Sequence, residues 1–184
     1  MSSPVSHLAC GFAIYRILVA RDPHVAGLPR GTRLATAALF SMVPDLDFVA
    51  GWIAQDFPDF HNNVSHSFMF GLVLCLLAAI LVSTRWRTIQ FRSLWAFTFA
   101  CYASHITVDY FTHGRGVMLF WPFLHERFSS PVILFTGVHW TKGLWSTDHL
   151  WTLGNDAVFA LLLVGLTELA ARRILKPMKP PATG

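Results

Sequence analysis

The chain alternates long apolar runs with short polar breaks, and the runs have helical lengths. Ser67 to Thr84 carries no Asp, Glu, Lys or Arg over eighteen residues, about the minimum for a helix that spans a bilayer. Four further apolar stretches, 5–20, 33–54, 93–111 and 150–170, have comparable lengths but contain isolated polar side chains. The pattern predicts an all-α fold, an integral membrane helical bundle of about five spans over 5–20, 33–54, 66–84, 93–111 and 150–170. Gly154 and Asp156 interrupt the last range, which is expected to start later or to lie partly in the interface. The segment from Gly114 to His149 is the longest outside the spans and holds Trp121, Trp140 and Trp145. Trp favours the headgroup layer, so this segment is expected on the membrane surface, where it could also form a lid or lipid-entry lip. Residues 1–175 read as a single domain and 176–184 as a flexible tail.

Composition narrows the class. The 184 residues are 54% hydrophobic and 13% charged, too little charge to cover an ordinary soluble surface. Met1 to His7 lacks the basic start of a secretory signal. Cys10, Cys75 and Cys101 lie in apolar runs without paired spacing, which argues for free thiols and against a disulfide framework or a Cys-type zinc site. Given five spans, Arg16, Arg21, Arg30, Arg33, Arg85, Arg87, Arg92, Arg172, Arg173, Lys176 and Lys179 fall on one side. Arg115, Arg127 and Lys142 fall on the other. The positive-inside tendency makes the first side cytoplasmic, with the N-terminus outside and the C-terminus inside. Orientation thus explains the net charge of +4, and nothing points to nucleic acid.

The remaining ionisable residues carry the chemistry. His7, Asp45, Asp47, His61, His66, His105, Asp109 and His113 sit inside or at the ends of apolar stretches, and the five-span arrangement puts all eight on the side opposite the arginines. A carboxylate or imidazole there is costly to desolvate without a partner, and a bound cation is a strong one. His105 and Asp109 are four apart, on one helical face that Thr112 and His113 would continue. Pro44 can break or kink its helix and turn Asp45 and Asp47 inward; taken alone, the two acids would as readily be a helix cap and a solvated group. His61 and His66 lead into the charge-free span, with Ser65 a candidate N-cap. Mixed His and Asp ligands without Cys suit Zn²⁺, or Mn²⁺ or Fe²⁺. Their number exceeds the needs of one ion, so two or three ions are expected.

Pro44-Asp45-Leu46-Asp47, His61-x4-His66-Ser67, His105-Ile-Thr-Val-Asp109-Tyr-Phe-Thr112-His-Gly114 and Leu119-Phe-Trp-Pro122-Phe123 together resemble the YdjM-type family, described as membrane-bound, metal-dependent hydrolases. The likeness covers most of the chain up to about Phe123. Two positions depart from it: Asn62 stands where a basic residue is usual, and His113 where Tyr is common. The spacing is also similar, more distantly, to the zinc phospholipase C and P1-type nuclease fold, where an Asp precedes a His by fourteen residues. That likeness implies one metal on Asp47, His61 or His66, His105 and Asp109. It also implies a second on Asp109, His7 and Asp45.

These expectations converge on hydrolysis of a phosphoester, in a lipid or lipid-linked phosphate, by a metal-activated water on the extracytoplasmic side of a bacterial inner membrane. Asp45 and Asp109 are the candidate catalytic residues, any of Asp45, Asp47 or Asp109 left partly free serving as general base, and Arg115 and Lys142 are the candidate phosphate-binding residues. The rivals are a di-iron lipid hydroxylase or desaturase, whose closely spaced His-x-x-His-His boxes are absent, and a non-enzymatic metal-binding or transport protein. A His-Glu-x-x-His protease is disfavoured, since His125-Glu126 is followed by Ser129 where the second His belongs.

Overall fold

The structure, a computed structural model, describes residues 2–55, 61–138 and 146–174. Helix α1 runs Pro4–Arg21, α2 Pro23–Gly27, α3 Arg30–Met42, α4 Asp47–Ala54, α5 Phe68–Arg85, α6 Phe91–Tyr110 and α7 Asp148–Ile174. Two 3-10 turns, Val43–Leu46 and Val64–His66, precede α4 and α5. Among the described residues there is no strand. Two isolated bridges, Thr112 with Phe135 and Val117 with Phe128, order the connection between α6 and α7.

Helix α6 is the centre of the bundle, packed by α1, α3 and α5, while α1 also packs on α3 and α7. The reason is a continuous apolar and small-polar stripe: Leu94, Phe97, Thr98, Cys101, Tyr102, His105, Ile106 and Asp109 are buried at three- and four-residue spacing. Phe97 and Cys101 meet Tyr15, Val25 and Ala37 in one core cluster. Tyr102 and Ile106 meet Cys75, Val117 and Leu119 in another. The three cysteines are free.

Cross-contacts fix the helix directions. Ser3 meets Asp156 and Arg16 meets Glu168, so α1 and α7 run parallel. Gly11 faces Ser41 and Arg33 lies over Tyr15, so α3 runs against α1. Gly71 abuts Tyr102 near the start of α5 and towards the end of α6, so these two are antiparallel. The start of α1, the α3–α4 junction, the turn before α5 and the end of α6 therefore gather at one end of the bundle. Arg21, Arg30, Arg85, Arg92 and Arg172 lie at the helix ends opposite.

Three helical stretches are long and apolar enough to cross a membrane: Arg30–Ala54, Phe68–Arg85 and Asp148–Arg173. The other two predicted ranges form α1 and α6. Both are less apolar because they carry the hydroxyls, imidazoles and carboxylate that face into the protein. The last range does not start late. Helix α7 begins at Asp148 and runs unbroken through Gly154 and Asp156, because Asp156 is fully buried against the bundle rather than placed on the outer face. Nor does Ser65 cap α5: a 3-10 turn intervenes, and Ser67 accepts the Phe70 N–H at 3.0 Å.

Gly71 allows α5 and α6 to touch. A Cβ there would overlap the Tyr102 ring, whose hydroxyl donates to the Ser65 carbonyl. Gly71→Ala is expected to lower stability by about 1–3 kcal/mol through overpacking. It should also disturb the turn that carries His66, read as a lower unfolding temperature together with weaker metal retention.

Candidate metal centre

Asp45, His66, His105 and Asp109 bring one donor atom each to within 4.8 Å of one another, all four residues buried. His66 Nε2 lies 3.2 Å from His105 Nε2, 3.6 Å from Asp45 Oδ1 and 3.3 Å from Asp109 Oδ2. His105 Nε2 lies 3.4 Å from Asp45 Oδ1 and 3.5 Å from Asp109 Oδ2. An ion with four ligands at about 2.0–2.1 Å separates them by about 3.3–3.4 Å along each edge of the tetrahedron. Five of the six edges are thus close to the required length. Both Asp45 oxygens and Asp109 Oδ2 are buried without a hydrogen bond, which is costly unless a cation meets them. The donor set fits a divalent first-row ion.

Local structure explains each position. His105 and Asp109 occupy successive turns of the buried face of α6. Pro44 belongs to the 3-10 turn that ends α3, and this turn, rather than a smooth helix, points Asp45 inward. His66 closes the turn ahead of α5.

The outer shell sets the imidazoles. His105 Nδ1 donates to the Ser41 carbonyl at 2.7 Å, which leaves the Nε2 lone pair for the cluster. His66 Nδ1 is 3.2 Å from Asp47 Oδ2 and so presents Nε2 in the same way.

Asp47 is already occupied by protein donors. Its Oδ1 pairs with His61 Nδ1 at 2.8 Å, while Oδ2 accepts from Asn62 N at 3.1 Å and from Ser65 Oγ at 2.7 Å. This carboxylate orients His61, the turn and His66 together. A protein-family model described as YdjM inner membrane protein matches residues 1–177. The chain belongs to this family. It is 29% identical over 101 residues to "Inner membrane protein YbcI" of Escherichia coli (strain K12), over 53% of this chain and 58% of that relative. The chain therefore matches less than two thirds of the relative's length. No solved structure matches, so the similarity to the zinc phospholipase C fold rests on spacing alone. In the structure Asp45, rather than Asp47, joins His66, His105 and Asp109.

The other expected residues of this family member surround the four. The His7 ring stacks on His105 at 3.6 Å, and its Nε2 lies 3.5 Å from Asp109 Oδ1. His61 is buried edge-on to His66, with ring centroids 5.4 Å apart. His113 lies beyond the end of α6, exposed, with its backbone N–H on the Phe135 carbonyl. Arg115 donates to the His61 carbonyl and Arg127 to that of Asn62, so both arginines grip the His61–Asn62 loop. Lys142, Trp140, Trp145 and the tail 176–184 lie outside the described residues. Sequence reasoning missed Asp156, which accepts the Ser3 N–H at 2.5 Å in full burial. The available signal is an acid inside an apolar run.

Asp47→Asn is expected to weaken metal binding by about 10–100-fold, the effect of losing an outer carboxylate, without abolishing it. Metal titration of the purified variant checks this; complete loss would make Asp47 a direct ligand.

Proposed function

We propose that the chain is a membrane-bound, metal-dependent hydrolase that cleaves a phosphoester of a lipid or lipid-linked substrate. The observation carrying this reading is the near-tetrahedral convergence of Asp45, His66, His105 and Asp109 at one end of a bundle of apolar helices. A divalent ion there, Zn²⁺ first and Mn²⁺ or Fe²⁺ next, would supply a Lewis acid for the phosphoryl group and an acidified water as nucleophile. Catalytic sites keep an open position, whereas four protein ligands fill a tetrahedron. Asp45 resolves this. Neither of its oxygens is held by a hydrogen bond, so it is the ligand best able to swing aside and take a proton, the role of a general base. Asp109 stays fixed, because its Oδ1 accepts the Ser2 N–H at 3.0 Å. Arg115, anchored at the His61 carbonyl, and Lys142 are the proposed phosphate-binding residues.

Lipid is favoured by the surroundings. The loop carrying exposed Phe120, Phe123 and Leu124 is tied to the His66 turn through Phe68 N–H to the Leu119 carbonyl, 3.1 Å, and Ser67 Oγ to the Trp121 carbonyl, 3.2 Å. An apolar lip thus adjoins the centre, suited to a substrate drawn from the bilayer. In the proposed topology five helical segments cross the inner membrane with the arginine end cytoplasmic and the centre extracytoplasmic.

One observation favours a second reading, a non-enzymatic metal-binding protein: a set of four protein ligands is also the arrangement of a closed structural site. One experiment separates the two. Purified protein is analysed for metal, then offered phospholipids and polyprenyl phosphates while released phosphate or headgroup is measured, with His105→Ala as control. Turnover that tracks metal content supports the hydrolase; bound metal with no turnover on either lipid class supports the binding protein.

A further inference from the structure

Helices α3 and α5 each pack on α6 but scarcely touch each other. Between them lies a cavity of about 510 Å³, within the about 300–1,000 Å³ typical of a ligand site. Thr36 and Phe40 of α3 and Ala78 and Val82 of α5 line its sides, above the buried Leu94 and Thr98 of α6. The Thr98 hydroxyl is spent on the Leu94 and Trp95 carbonyls, which leaves the floor apolar. Phe40, packed on both core clusters, closes the inner end, while Pro29, Thr32 and Trp86 lie at the arginine end. From Thr32 to Phe40 α3 rises about 12 Å at about 1.5 Å per residue. That depth fits within one leaflet of a hydrocarbon core about 30 Å thick.

Both flanking helices belong to stretches long and apolar enough to cross a membrane, so what meets the opening between them is lipid. Charge says which lipid. The stretches 28–40 and 78–98 that build the groove contain Arg30, Arg33, Arg85, Arg87 and Arg92 and no Asp or Glu. Arg33 is engaged with the Ala26 carbonyl at 3.0 Å and lies over Tyr15, and Arg87 lines a separate hollow with Ile80 and Phe91. Asp22, the acid nearest in sequence to Arg30, accepts the N–H groups of His24 and Val25. Arg30, Arg85 and Arg92 are exposed, and no ion pair among the described residues includes them. The Arg85 guanidinium stands 5.4 Å from the centroid of the Trp86 ring, and Trp86 is 54% exposed where it lines the groove. Trp favours the headgroup layer, and a guanidinium there is suited to a phosphate. A basic pocket between membrane helices selects an anionic headgroup over a zwitterionic one.

We propose that the groove between α3 and α5 holds one acyl chain of an anionic phospholipid, with Arg30 and Arg85 meeting its phosphate at the mouth. This lipid is resident and distinct from any substrate, because the groove opens at the end of the bundle opposite the metal centre. The test uses the full chain in detergent, washed free of co-purified lipid and offered phosphatidylglycerol or phosphatidylcholine with the same acyl chains. Native mass spectrometry counts the lipids held per chain. The wild type should saturate with one phosphatidylglycerol and hold phosphatidylcholine more weakly. An arginine near an anionic headgroup contributes about fivefold, so the double variant Arg30→Gln with Arg85→Gln should bind phosphatidylglycerol about 25-fold more weakly and lose the preference between the two lipids. Ala78→Phe, which fills the groove and leaves the arginines, should weaken both. Equal retention of the two lipids by the wild type overturns the proposal, a result that does not depend on either variant folding. Phosphatidylglycerol binding unchanged in the double variant and in Ala78→Phe overturns it too. A dimer of the chain in place of the lipid adduct would assign the groove to a second copy instead.

Discussion

Asp109→Ala and His105→Ala should each empty the metal centre. Each supplies one of four converging donors, and they sit one turn apart on the buried face of α6. Asp109 also holds Ser2 and lies beside His7, so its loss reaches the widest set of partners. Losing an outer partner weakens metal binding by about 10–100-fold; losing a direct ligand from a four-donor set should exceed that range and take any hydrolysis with it. Equilibrium dialysis against Zn²⁺ or Mn²⁺ provides the reading. Wild-type affinity in both variants would remove these residues from the centre.

Stripping the metal should lower the stability of the whole bundle. The four donors come from the α3–α4 junction, the turn before α5 and the end of α6, so an ion there cross-links three segments that the sequence joins only through long intervals. A ligand that binds only the folded chain stabilises it by about 2.7 kcal/mol at a hundredfold excess over its dissociation constant, and by about 4.1 kcal/mol at a thousandfold. Without the ion, Asp45 and Asp109 keep buried oxygens that no hydrogen bond satisfies. Thermal unfolding in detergent should therefore shift downwards on chelation and recover with metal. The same titration should leave Asp109→Ala unmoved. An unfolding temperature indifferent to chelator in the wild type would mean that no structural ion is held.

Much of the architecture was legible because periodicity reports burial. The His105–Asp109 pair, the inward turn at Pro44 and the long apolar helices all follow from spacing and from the geometry of proline. What spacing does not encode is which of two nearby carboxylates reaches the centre. Asp45 lies in the 3-10 turn and Asp47 two residues on, at the start of α4, where His61, Asn62 and Ser65 draw it away. His113 joins the others only if α6 continues past Asp109. The helix instead ends at Tyr110, where Ser130 N–H takes the Tyr110 carbonyl and Leu134 N–H that of Phe111. Those donors lie twenty residues or more downstream, and no glycine or proline at the break announces it. Asp156 shows the opposite failure: the acid was visible, but its partner at the other end of the chain was not.

X-ray absorption of the metal-loaded wild type reads the neighbours of an ion held by Asp45, His66, His105 and Asp109 directly. Only nitrogen and oxygen neighbours at about 2.0–2.2 Å are expected, with the outer scattering of two or more imidazoles. Sulfur at about 2.3 Å, from any of Cys10, Cys75 or Cys101, or a loaded protein that retains no metal, would contradict it.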